Sequence, residues 1–106
     1  GPNPARLVGA AVANCLCASL LFALRKAKEQ PGGVSAVVTG DMERQDGRWR
    51  IGRIDVKLQV ENAQALQQLP AVLEKFEDYC IVTQSIRQGI PVHVEVVDQD
   101  GKVLKA

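Results

Sequence analysis

Residues 7–24, LVGAAVANCLCASLLFAL, run for eighteen positions without a charge between Arg6 and Arg25, and the reading of this stretch decides the fold. Length and apolarity suit a membrane span or the core of a signal peptide. Composition argues against both, because the run is rich in Ala rather than Leu and contains Gly9, Asn14 and Ser19. It continues into Arg25-Lys26-Ala27-Lys28-Glu29, a charged last turn whose cations suit the negative end of a helix dipole. Asn3 and Pro4 supply an N-cap and a first-turn proline. Pro31-Gly32-Gly33 supplies a stop. The expectation is one helix over about 4–29, apolar all round because it lies at the centre of a fold or a dimer.

Strand patterns follow. Val34–Thr39 is short and β-branched, and Asp46-Gly47 is a hairpin turn signal. Ile54, Val56, Leu58 and Val60 alternate with Asp55, Lys57, Gln59 and Glu61, the period of a strand with one buried face. Gly52 just upstream marks a bulge. Asn62 is expected to cap a helical segment in which Leu66, Leu69, Leu73 and Phe76 form one apolar stripe, restarted at Pro70. The next step of that stripe is Cys80. A short helix over 81–88 should stop at Gly89. Pro91–Val97 reads as a last strand with Val92, Val94 and Val96 on one face and His93 on the outer one, before an Asp100-Gly101 turn. Helices and strands are segregated, so the class is α+β, expected as one domain over 1–106.

Composition narrows the function. Thirteen basic and twelve acidic residues leave a net charge of +1, with no excess to drive phosphate contacts, so nucleic acid is not expected as a partner. One histidine and no suitably spaced carboxylate pair leave hydrolytic chemistry poorly supplied. Three cysteines are too few for a secreted disulfide framework and point to a reducing, cytoplasmic setting. Trp49 between Arg48 and Arg50 reads as ordinary packing. The chain opens Gly1-Pro2-Asn3-Pro4 without Met, which suits either a processed or N-terminally truncated product or a cloning scar at Gly1-Pro2.

The cysteines carry the chemistry. Cys15 and Cys17 diverge by about 200° around the helix, so they cannot bond each other or chelate a metal together. Cys80 falls at the break before helix 81–88, where the positive end of the helix dipole favours a thiolate. One reading makes all three small buried hydrophobes. The reactive alternative is Cys80 paired with either Cys15 or Cys17.

Three stretches resemble the OsmC/Ohr family of thiol-dependent organic hydroperoxide reductases. Asn3-Pro4 precedes an Ala-rich helix with Cys15 twelve residues after the Asn; a strand pair follows; and Glu77-Asp78-Tyr79-Cys80-Ile81-Val82-Thr83-Gln84-Ser85 is similar to the second-cysteine motif. The resemblance implies an OsmC-like fold, with a long central apolar helix, antiparallel strands and C-terminal helices, as an intertwined homodimer. It implies that Cys15 attacks the hydroperoxide and becomes a sulfenic acid, and that Cys80 closes a disulfide reopened by a small dithiol or lipoyl-type reductant. No cofactor, metal or membrane is required. Cys17 has no role in the resemblance and is read as core. Leu7, Val8, Phe22 and Tyr79 are candidates to line a substrate cleft.

The chain departs from the family pattern in three places. Ala5 stands where the family often has Glu, Ile81 where Pro is common, and the N-terminal strands that normally bring an activating Arg are not in the chain; Arg6 is not its equivalent by position. These departures support a second reading, a non-catalytic OsmC-like dimeric binding or interaction domain with structural cysteines.

Overall fold

In a computed structural model, which describes residues 3–105, helix α1 (Pro4–Lys26) lies against one face of a long β-hairpin. Gly1 and Pro2, where the start of the chain was in question, lie outside the described residues. Asn3 caps α1, its side-chain oxygen accepting the Ala5 N–H at 2.8 Å. The helix ends three residues earlier than expected. Lys28 turns left-handed (φ 63°), and its N–H bonds the Arg25 carbonyl while the Glu29 N–H bonds that of Leu24. This is a Schellman closure of the last turn.

Strands β1 (Val34–Gln45) and β2 (Arg48–Val60) pair antiparallel. Asp46 and Gly47 both have positive φ (54° and 78°), as a two-residue type I′ turn requires. The register shifts where Asp41 faces Arg53 but Met42 faces Ile51, leaving Gly52 as the extra residue of a bulge, as expected. β1 runs six residues beyond the predicted Thr39 because pairing with β2 overrides the poor strand propensity of its polar end. Ile54, Val56, Leu58 and Val60 are half-buried under α1, together with Val34, Ala36 and Val38.

The rest of the chain returns along α1 and closes the same core. A 3-10 turn (Ala63–Ala65), α2 (Leu69–Lys75), a second 3-10 turn (Phe76–Tyr79) and α3 (Ile81–Gln88) follow in order. Asn62 is not a helix cap: it is left-handed and its side chain makes no capping bond. The expected stripe holds at Leu66, Leu69, Phe76 and Cys80 but misses at one step, Leu73 being 45% exposed while Val72 faces the core. The core joins Val12, Leu16, Leu20 and Leu24, one face of α1, to Leu66, Phe76 and Cys80.

The last segment departs most. Only β3 (Val96–Val97) and β4 (Val103–Lys105) pair, as a separate two-stranded ribbon around the Asp98–Gly101 turn. Residues 91–95 alternate like a strand but have no neighbouring strand among the described residues, and Pro91 has no N–H to donate. With three helices and segregated antiparallel strands the fold is α+β.

Candidate functional site

Cys80 ends the second 3-10 turn and stands at the N-cap of α3. Two contacts set this junction. Arg87 on α3 reaches back to Glu77, Nη2 to Oε1 2.6 Å, and the Gln84 side chain donates to the Glu77 carbonyl at 3.1 Å. The ion pair is partly exposed and adds little stability; its effect is to hold the start of α3 against the turn that carries the cysteine.

The Cys80 side chain is 0% exposed. Its Sγ lies 3.0 Å from the Thr83 Oγ1, itself buried. The Cys15 thiol and the Ser19 hydroxyl, one helical turn apart on α1, face the same sulfur. Burial by itself pushes the Cys80 thiol up, but contacts from Cys15, Thr83 and Ser19 outweigh it, and the thiol ionises below its ordinary range. The Thr83 backbone N–H adds to this effect, although the sulfur closes no capping hydrogen bond on α3. Among the described residues the Thr83 hydroxyl is the contact with full hydrogen-bond geometry.

Of the two partners left open for Cys80, the structure therefore brings Cys15 to it. Cys15 is half-buried and packs on the core that contains Cys80. Cys17 departs from its reading as core: it is half-buried on α1 but outside the group of side chains packed on the core. Burial raises its thiol above the usual range, the opposite of what a nucleophile needs.

A cavity of about 320 Å³ reaches Thr83, though neither Cys15 nor Cys80 lines it; Val12, Leu16, Ile54, Val56 and Ile86 wall it and Glu77 and Arg87 are its charged part. Leu7, Val8, Phe22 and Tyr79, proposed for a cleft, do not line it and are all exposed, Tyr79 at 75%. A larger cavity of about 590 Å³ lies between the start of α1 and the hairpin, lined by Asn3, Ala5, Arg6 and Met42 among others. Arg6 thus belongs to a different cavity from the one that Thr83 lines. His93 is exposed, as expected, but not as the outer face of a strand: Val92 and Val94 on either side are exposed as well. Trp49 is exposed rather than packed, with the Arg44 guanidinium 5.4 Å from its ring centre. No cluster of metal-ligating side chains occurs among the described residues.

Thr83 and Ser19 were not singled out from sequence, although the signals were there. Cys80 and Thr83 have the N-cap to N3 spacing of a capping pair. Ser19 follows Cys15 by four residues, on the same helix face. Glu77 and Arg87 are ten residues apart across a helix break, a spacing with no local signature.

Fold and site together define an α+β protein with a two-thiol centre, where a long apolar helix meets the start of a short one. The family model of the OsmC-like proteins matches residues 1–95, and the chain belongs to that family, which includes peroxidases. No curated protein matches the chain.

Proposed function

We propose that the protein is a thiol-dependent peroxidase that reduces organic hydroperoxides to alcohols, with Cys15 as the attacking and Cys80 as the resolving cysteine. The observation that carries this reading is the meeting of the Cys15 thiol with a buried Cys80 sulfur that is held toward the thiolate. The Cys15 thiolate attacks the terminal oxygen of the hydroperoxide and the O–O bond breaks. The alkoxide takes a proton and leaves as the alcohol, and Cys15 is left as a sulfenic acid. The Cys80 thiolate then attacks the Cys15 sulfur, and hydroxide leaves as water once protonated. Two thiols have given up two electrons to one O–O bond. A small dithiol, of lipoyl or similar type, reopens the disulfide.

The apolar walls of the 320 Å³ cavity suit the organic part of such a substrate. We read α1 as the central helix of a homodimer rather than a membrane anchor. It is long and apolar enough to cross a membrane, but one face is already used by the core of this chain. A reducing, cytoplasmic setting fits three unpaired cysteines. Neither a cofactor nor nucleic acid enters the scheme.

The test is consumption of tert-butyl hydroperoxide with excess dihydrolipoamide. The wild type and Cys17→Ser should turn over, whereas Cys15→Ser should be inactive. Turnover by Cys15→Ser at the wild-type rate would refute the assignment. Ala5, standing where the family often has a carboxylate, favours the second reading of a non-catalytic dimeric binding domain; thiols that survive excess hydroperoxide unchanged would support it.

A further inference from the structure

We infer that the site fixes the direction in which its disulfide is reduced: the incoming thiol attacks the Cys15 sulfur, and Cys80 leaves as a buried sulfur beside the Thr83 hydroxyl. The inference rests on the Cys15–Cys80 disulfide of the proposed cycle. Thiol–disulfide exchange needs the attacking sulfur in line with the S–S bond, on the side opposite the leaving sulfur. Cys80 has no exposed surface, so a thiol from solvent has no approach to it, whereas Cys15 is only half-buried.

The leaving side is equally distinct. As the S–S bond breaks, negative charge grows on the Cys80 sulfur. The Thr83 hydroxyl, 3.0 Å away and 7% exposed, can turn its proton toward that charge without competition from bulk water. The Ser19 hydroxyl meets the sulfur from α1, and the sulfur stands at the N-terminal end of the eight-residue α3. A thiol whose anion is better stabilised leaves faster.

The step balances. The first thiolate of a small dithiol bonds to the Cys15 sulfur, the S–S bond breaks, and its electron pair goes to Cys80. The second thiolate then attacks the first sulfur of the reductant, giving a cyclic disulfide and the Cys15 thiolate, which takes a proton from solvent. The protein sulfurs gain two electrons and the dithiol loses two.

Regiochemistry tests this. The disulfide is formed in the full chain with diamide, so that it does not depend on reactivity toward peroxide. It is then exposed briefly to glutathione, trapped with N-ethylmaleimide and mapped by mass spectrometry. Glutathione should be found on Cys15 and maleimide on Cys80. Thr83→Val should slow reduction by dithiothreitol about tenfold, and Thr83→Ser should stay near the wild-type rate. Glutathione on Cys80, an unchanged rate in Thr83→Val, or an equal loss in Thr83→Ser would overturn the inference and leave the peroxidase reading standing. Failure of diamide to join Cys15 and Cys80 would overturn both.

Discussion

At the scale of single residues, Thr83 supplies a buried hydroxyl to the buried Cys80 sulfur. The consequence can be read from pH. The folded protein releases the Cys80 proton below the ordinary thiol range, so it does so before the unfolded chain. The resulting stabilisation is full above the unfolded value of about 8.5 and is lost as pH falls through the folded value. Cys17 acts in the opposite sense: its raised thiol gives stability below the unfolded value that is lost as pH rises through the folded one. Urea unfolding of reduced wild type and Thr83→Val, which share Cys17, isolates the first effect. The stability gap between them should widen from about pH 6 to about pH 9; a constant gap would mean that the hydroxyl does not act on the thiolate. Cys80 was legible in the sequence because a helix break and a motif coincide there. Its partner was not legible from spacing, since Cys15 and Cys80 are brought together only by the packing of α3 on α1.

At the scale of elements, local rules succeeded wherever backbone chemistry decides the outcome. The Asp46-Gly47 turn and the stop at Gly89 (φ 79°) are set by conformations that few residues adopt, and at the Gly52 bulge a Cβ would crowd the Glu43 side chain. Apolar spacing succeeded only in part between Asn62 and Phe76: Leu66, Leu69 and Phe76 lie in or against the core, but Leu73 does not. A segment capped by Asn62 and restarted at Pro70 was expected there, whereas left-handed Asn62 opens a 3-10 turn and α2 turns Val72 rather than Leu73 to the core. The strand over 91–97 failed for a different reason, since alternation shows a preference for pairing but cannot supply a partner. Substitutions separate the two faces. Leu20→Ala, at a fully buried position, should cost about 2–5 kcal/mol in denaturant unfolding. Leu73→Ala should cost no more than about 1 kcal/mol. Equal costs would put Leu73 back in the core.

At the scale of the whole molecule, the protomer is elongated. It measures 59 × 30 × 27 Å with a radius of gyration of 18.5 Å, against about 13 Å for a compact chain of this length. The far half of the hairpin is exposed, and so is the face of α1 that carries Leu7 and Phe22, the latter at 67%. The all-round apolarity of α1, plain in the sequence, thus exceeds what one chain covers. A second copy packed on that face, as proposed, would account for the excess. Sedimentation should find a dimer, and Phe22→Asp should shift it toward monomer while α1 keeps its core face. A wild-type monomer at micromolar concentration would contradict this.

The central claim is that Cys15 and Cys80 are the redox pair, and non-reducing peptide mapping after one equivalent of an organic hydroperoxide tests it most directly. The account predicts rapid formation of a Cys15–Cys80 linkage with Cys17 left free to alkylate. The linkage closes a segment of 66 residues, from Cys15 through Cys80, and should stabilise the fold by about 4 kcal/mol on chain-entropy grounds. Thiols left unmodified, or slow oxidation that draws in Cys17, would contradict it.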